Sequence, residues 1–485
     1  MTEPTGSGLR TNALTQLDSV VMSLAGVAPG IAIAASTAVL FAAVGFAGPA
    51  ALLYCGLAVF GIVWAFNYLG RSEVNAGASY AWVRRALHPL LGYLAGWALI
   101  VSGILAMVAL SLPAGSVTLG LIHASLANNL ALVTLVGGIF FLLMVMAVLF
   151  GVRISARAQL IMSGTELMIL VIFGILAAVH GASSGVHSFS WSWLSPTAFG
   201  SFAGATRGFV AGALIAAFYY SGWDTNANLN EETKNPRRFP GRGSLLGVLC
   251  AFCLFQLFTI GADMNLSAHT MSSNSGDVLG VLGQVVWPGL GGRIIVVAVI
   301  LSTVATLETS LIQGSRTLFA MGRDGTMPKV FAKIHPSWRT PWIAIMLLGV
   351  IVLALFVGAN YIGSLSTVLS DAISAIGLQI CFYYGLAGLS VVVLYRRHLL
   401  DSAHNFIFIG LWPFLGAIFM FVVLGESVSS NAAATNWVGF GALALGLIPA
   451  GIFWSRGAAY FRRPPKEERV VGGFDQPVHS ESAAG

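Results

Sequence analysis

The sequence predicts an all-α polytopic membrane protein with twelve transmembrane helices, and three observations carry that prediction. The chain of 485 residues holds only 24 Lys and Arg and 18 Asp and Glu, 9% charged against 57% hydrophobic. A soluble globular chain carries about 25% charged residues. The charges also leave long silent stretches, with none from Ser19 to Gly70 or from Ala86 to Val152. Each stretch has room for two membrane-crossing helices of about 20 residues. Finally, when the apolar segments are read as twelve spans, every basic residue except Arg207 and Arg293 falls on one side. That bias marks cytoplasmic loops, and a miscounted span would scramble it from the first error onward.

Turn residues and hydropathy place the spans at 17–44, 48–70, 89–122, 129–151, 156–180, 204–231, 242–262, 293–322, 341–358, 363–395, 404–425 and 434–456. Helices are the expected element because a backbone in hydrocarbon must satisfy its own hydrogen bonds. Barrel strands would show short alternating segments, which are missing here. The organisation expected is a polar N-terminal tail over 1–16, a transmembrane domain over 17–456 and a C-terminal tail over 457–485, with both tails cytoplasmic. Met1–Leu17 has no apolar run that would read as a signal peptide. The two ends read as disordered.

Several other functions are set aside by the same residues. Four Cys do not make a disulfide framework. Cys250 and Cys253 have redox spacing but sit in an apolar span, where small buried hydrophobes are the simpler reading. No metalloprotease, nucleophile-elbow or phosphate-loop motif occurs, and the nine His lack metal-ligand spacing. No enzyme activity, cofactor, metal or nucleic-acid partner is therefore expected. The net charge of +6 is topological, because the basic residues lie in loops on one face.

Two spans are interrupted. Span one contains Gly26-Val27-Ala28-Pro29-Gly30, where Pro removes a backbone donor and the glycines lower the cost of unwinding. Span six contains Tyr219-Tyr220-Ser221-Gly222-Trp223-Asp224, again near mid-depth. Each break alone could be an ordinary kink. Two at matching positions five spans apart point to inverted repeats around a binding site.

Three motifs resemble one family. Tyr220-Ser221-Gly222-Trp223-Asp224 is followed by Glu231-Glu232-Thr233-Lys234-Asn235-Pro236-Arg237. Asn75-Ala76-Gly77-Ala78-Ser79-Tyr80 precedes Gly92-Tyr93 and Gly96-Trp97. Ser315-Arg316 leads to Met321-Gly322-Arg323-Asp324-Gly325 and to Arg339-Thr340-Pro341. In order and placement these resemble amino acid permeases of the amino acid–polyamine–organocation (APC) superfamily. The resemblance implies a leucine-transporter-like (LeuT) fold, with repeats over 17–180 and 204–395 and two extra spans over 404–456. It also implies secondary transport of amino acids or related amines by alternating access at the plasma membrane. Here Ala28-Pro29-Gly30 stands where the family commonly has two glycines around a small residue, so a substrate carboxylate loses one amide.

By the same resemblance, the substrate is expected at Gly26, Val27, Ala28, Pro29 and Gly30, at Tyr219, Tyr220, Ser221 and Gly222, and at Ser102, Met107 and Ser310. Its carboxylate would face the Gly26–Gly30 amides, and its ammonium the carbonyls near Tyr219–Ser221. Ionisable residues inside spans are costly and so are functional candidates. Glu166 and Asp224 are the candidates for coupling and proton exchange, and Asp224 also suits an N-cap of the following half-helix. Glu308 and Asp371 are further candidates for substrate or ion contact. Trp223, Glu231 and Glu232 are expected to gate, with Lys234, Arg237 and Arg238 beside the two acids. The expected partners are an amino acid or amine, protons and the lipid bilayer. Sodium is the alternative ion, with Ser302, Thr303 and Thr306 as possible ligands, and exchange or a channel-like or sensor role are alternative activities.

Overall fold

A computed structural model describes residues 8–199, 202–274, 277–359, 365–430, 433–465 and 469–471; within these, side chains are described except at 202–207, 359, 365–374, 430 and 434. The described regular elements are all helical. Nine helical stretches among them are long and apolar enough to cross a bilayer. The difference from twelve expected spans has two local causes. Gln16–Ser72 runs through two expected spans as one stretch, because only the three-residue 3-10 turn Gly45–Ala47 separates them. Phe202–Tyr219 and Trp342–Ala359, each 18 residues long, stand at two further expected positions, the first ended by the break after Tyr219; the apolar parts with described side chains are Gly208–Tyr219 and Trp342–Gly358.

Span one is two half-helices, Gln16–Val27 and Pro29–Val44. Ala28 between them sits at φ 55° and ψ 60°, the left-handed region that a residue with a Cβ rarely enters. Pro29 then opens the second half-helix at the position where a missing N–H costs nothing. Span six stops at Tyr219, and a four-residue turn, Thr225–Asn228, follows the break. Gly222, at φ +84°, makes the reversal.

The two breaks meet backbone to backbone. A Cβ on Gly26 would lie 2.1 Å from the Gly222 carbonyl oxygen, and one on Gly222 would lie 2.2 Å from that of Gly26. Only hydrogen fits at either position. Around this crossing stand the long helices Pro89–Ile122, Val152–Ser184, Gly291–Arg323 and Leu365–Leu394, which are spans three, five, eight and ten.

The polar N-terminal segment is anchored where a free tail was expected. Leu9 and Leu14 are buried. The amides of Ala13 and Leu14 donate to the Glu232 carbonyl at 2.8 and 3.1 Å, and Lys234 returns a bond to Leu14 at 2.8 Å. The C-terminal segment is likewise tied down at Tyr460, which stacks on Tyr80 at 4.4 Å and donates its hydroxyl to the Tyr80 carbonyl.

Candidate functional site

The crossing of the two breaks forms one wall of a cavity of about 70 Å³. Span one contributes Gly26, Val27, Ala28, Ile31 and Ala32, and span six contributes Phe218, Ser221 and Gly222. Ser102, Gly103, Ala106, Ala109 and Leu110 from span three, Thr306, Ser310 and Gln313 from span eight, and Ile376, Ile380 and Tyr383 from span ten complete the lining. Seven of the residues expected at the substrate site therefore come together here: Gly26, Val27, Ala28, Ser102, Ser221, Gly222 and Ser310.

Pro29, Gly30, Met107, Tyr219 and Tyr220 do not line this cavity. The helical phase turns Tyr219 and Tyr220 away from it. Tyr219 shares a 3.0 Å hydrogen bond with Thr37 and meets Phe255 edge-on. Tyr220 donates to the Leu52 carbonyl at 2.9 Å. Trp223 is also turned away, packed between Phe66 of span two and Tyr384 of span ten.

Each break is braced by a buried carboxylate. Glu166, on span five, accepts the Gly30 amide at 2.9 Å through Oε1. The next amide, Ile31, donates to the Ser302 hydroxyl at 3.2 Å. The exposed amides opening the second half-helix are thus taken by spans five and eight. Glu166 Oε2 is buried and has no hydrogen-bond partner among the described residues.

At the other break, Asp224 stands at the N-cap position of Thr225–Asn228, but its side chain makes no capping bond. Its carboxylate turns instead toward spans eight and ten. Tyr384 donates to Oδ1 at 2.8 Å, while Gln313 and Tyr383 donate to Oδ2 at 2.7 and 3.1 Å. Sequence reasoning passed over Gln313, Tyr383 and Tyr384. The available signal was spacing: Gln313 lies three residues after Ser310, on the same helical face.

The remaining acids and hydroxyls are placed as follows. Glu308 is fully buried beside Ser155 and Gln159 of span five, away from the cavity lining. Asp371 lies outside the described side chains. The hydroxyls weighed as sodium ligands are engaged in hydrogen bonds. Thr303 donates to the Val299 carbonyl at 2.6 Å, and Thr306 reaches the carbonyls of Ser302 and Ala25 at 2.8 and 3.2 Å. No cluster of three or more His, Cys, Asp or Glu suited to a metal occurs among the described residues.

At the basic end of the bundle, Glu231 and Glu232 pair with span eight and not with the neighbouring Lys234, Arg237 or Arg238. Arg316 meets Glu232 at 3.0 Å with both side chains fully buried. Arg323 meets Glu231 at 3.0 Å, and Glu231 also accepts the Ala76 amide at 2.8 Å. Asn228 bridges the Ala76 carbonyl and Thr317 at 2.7 and 2.9 Å. The loop before span three, the exit of span six and the end of span eight are thereby tied into one plug. Beside it, burial raises the Glu73 carboxyl above its ordinary value, with nearby Arg85 opposing the shift. Burial raises Asp324 in the same way, against Arg323 and Arg84.

This architecture matches known proteins. The profile of the family described as amino acid permease matches residues 14–447, so the chain belongs to the amino acid permease family. Among curated relatives it is similar to the low-affinity putrescine importer PlaP of Escherichia coli, 25% identical over 320 residues, or 63% of this chain and 66% of that one. The chain thus spans slightly under two thirds of that relative's length. It is also similar to the serine/threonine exchanger SteT of Bacillus subtilis, 24% identical over 376 residues, or 75% of this chain and 78% of that one. These relatives are transporters and not enzymes. Among solved structures, MhsT in complex with L-phenylalanine superposes with a TM-score of 0.59 at 18% identity, over 84% of this chain and 98% of that one. The fold is accordingly leucine-transporter-like.

Proposed function

We propose that the protein is a secondary active transporter that moves amino acids or related amines across the plasma membrane by alternating access. The observation that carries this reading is the meeting of two broken helices on a cavity wall, above a plug closed by two ion pairs, one of them fully buried. Interrupted helices at corresponding places in two repeats are where transporters of this architecture hold their solute. Spans one, two, six and seven rock against the rest, and the basic end, with both tails, faces the cytoplasm. Opening toward the cytoplasm then requires breaking Glu232–Arg316 and Glu231–Arg323 and parting the N-terminal segment from the exit of span six.

The coupling ion in this reading is the proton, carried on Glu166. Glu166 ties the second half of span one to span five through a hydrogen bond from the Gly30 amide, with the Ser302 side chain beside it, and its other oxygen makes no hydrogen bond among the described residues. A proton arriving there changes the strength of the tie between a rocking span and a fixed one. Asp224, held by three donors, keeps its place and positions Tyr383 and Gln313 on the cavity wall. The names of the two relatives, a putrescine importer and a serine/threonine exchanger, support an amine or amino acid as solute and leave exchange as the second reading.

Uptake into proteoliposomes under an imposed proton gradient tests the proposal. Wild type should accumulate solute with the gradient and Glu166→Gln should lose that dependence. If uptake follows a counter-solute inside the vesicles and ignores the gradient, exchange replaces symport. Replacing sodium in the same assay should change nothing.

A further inference from the structure

Arg237 and Arg238, which Glu231 and Glu232 pass over, face a site of their own. With Arg71 and Arg242 they line a second pocket, of about 670 Å³, at the basic end of the bundle. Its walls also include Tyr68 and His404, which share a 2.9 Å hydrogen bond, and no Asp or Glu lines it. Among the described residues none of the four arginines meets a carboxylate at ion-pair distance. Arg237 donates to the Arg71 carbonyl, which holds the exit of span six against the end of span two. Arg71 Nε is buried and makes no hydrogen bond among the described residues. Like charges gathered without a counter-charge repel one another, and a guanidinium offers its donors in a fork that fits phosphate oxygens.

The pocket has an apolar continuation. Arg71 lies in the last turn of Gly48–Ser72, the helix of span two, and Arg242 near the start of Phe239–Asn265, that of span seven. Leu57, Phe60, Trp64, Tyr68 and Arg71 recur every three or four residues and so share one face of span two. Span seven closes on one side of that face and span eleven on the other: a Cβ on Gly56 would collide with the Phe252 ring, and one on Gly61 with the Trp412 carbonyl. Between them Leu57 is exposed and Phe60 and Trp64 are half-buried. Phe252 meets Phe60 edge-on at 5.9 Å, and Phe408 of span eleven lies 4.8 Å from Trp64. Leu246 and Leu249, one and two turns beyond Arg242, are exposed as well. An apolar groove therefore leads from the arginines into the hydrocarbon region.

Basic pockets between helix ends at the membrane surface suit anionic lipid headgroups. A soluble phosphate would use the arginines and leave the groove empty, whereas a lipid uses both. A zwitterionic headgroup brings a cation that finds no carboxylate in the pocket. We infer that the pocket and groove hold one anionic phospholipid, its phosphate among Arg71, Arg237, Arg238 and Arg242 and an acyl chain along Leu57, Phe60 and Trp64. None of these residues lines the central cavity, so the site is separate from the one assigned to the solute.

Native mass spectrometry of the full-length protein, delipidated in detergent, tests this with dioleoylphosphatidylglycerol and dioleoylphosphatidylcholine. The anionic lipid should bind at least tenfold more tightly. Arg238→Gln with Arg242→Gln, both at exposed positions, should cut that preference at least fivefold. Arg153→Gln with Arg157→Gln, which removes the same charge from exposed positions at the start of span five, should leave it unchanged. Glycerophosphoglycerol, the same headgroup without chains, and inorganic phosphate should each compete at least tenfold more weakly than the intact lipid. Equal binding of the two lipids overturns the inference, and so does a preference that survives in the pocket variant or falls as far in the span five variant. A chain-free headgroup or phosphate that competes as well as the lipid also overturns it, because the pocket would then be a site for a soluble anion.

Discussion

The two helix breaks solve one problem in opposite ways. Each exposes backbone polar groups in the middle of a membrane protein, where unsatisfied groups are costly. At span one the break holds no ionisable residue, and help comes from outside: Glu166 takes the Gly30 amide and Ser302 the Ile31 amide. At span six the break carries its own acid, Asp224, and spans eight and ten supply three donors to it. One carboxylate serves a backbone and keeps an oxygen idle; the other is served by side chains and has both oxygens occupied. The first arrangement has room to change and the second does not, which is the ground for proposing Glu166 as the proton carrier and Asp224 as an anchor.

The sharpest way to break this comparison is at the point where the two breaks touch. Gly222→Ala places a Cβ about where the Gly26 carbonyl oxygen already sits, on a residue at φ +84°. Either strain alone disfavours the substitution. The expected outcome is loss of nearly all folded protein in size-exclusion chromatography of detergent extracts; a wild-type yield would mean that the breaks do not touch.

Arg316→Ala tests the plug below span six. Removing one partner of a fully buried pair leaves an uncompensated charge, at a cost of about 3–5 kcal/mol. Thermal unfolding should show a correspondingly large drop, with most of it recovered when Glu232→Gln is added. No recovery in the double variant would assign the loss to something other than the orphaned acid.

Asp224→Asn comes next. One acceptor oxygen becomes a donor facing Tyr383 and Gln313, so about 1–3 kcal/mol of stability should go with the mismatched bonds. Glu166→Gln should cost less than about 1 kcal/mol, because an amide oxygen still accepts the Gly30 N–H. If Glu166→Gln proved the more destabilising of the two, the contrast between an anchored and a free carboxylate would be reversed.

The smallest effect concerns pH at the basic end. Glu73 and Asp324 have carboxyl pKa values raised above 4.5 and 3.8 in the folded protein. A raised value means that the folded state binds the proton more tightly than the unfolded one. The resulting stabilisation is present below the ordinary values and is lost as pH rises through the raised ones. The unfolding midpoint should therefore carry a shallow downward contribution across that window, which Glu73→Gln and Asp324→Asn together remove. An unchanged slope in that double variant would place the effect elsewhere.

Much of this molecule was legible in the residues themselves. Pro29 beside Gly30, and Gly222 beside Trp223, marked both breaks, because helix-breaking chemistry is local. Glu166 stood out because an acid in an apolar run is rare. The partners of these residues were not legible. Nothing near Glu231 and Glu232 in sequence names Arg316 or Arg323, which lie more than eighty positions away and were passed over for the adjacent Lys234, Arg237 and Arg238. Tyr219 and Tyr220 were drawn to the cavity by proximity to the break, yet helical phase turns them into the packing of spans two and seven, and Trp223 packs between spans two and ten. Leu9 and Leu14 show the same limit, since a polar segment with two apolar residues reads as a tail until a groove is there to bury them.

By itself the sequence determined that this chain lives in a bilayer, where its helices break and which acids are unusual, because burial in hydrocarbon and backbone geometry act residue by residue. Only the tertiary structure decided which donors are already spent. A hydrogen bond has one donor proton and a fixed reach, so whether the Gly30 amide or the Tyr383 hydroxyl remains free depends on groups from distant spans arriving within about 3 Å.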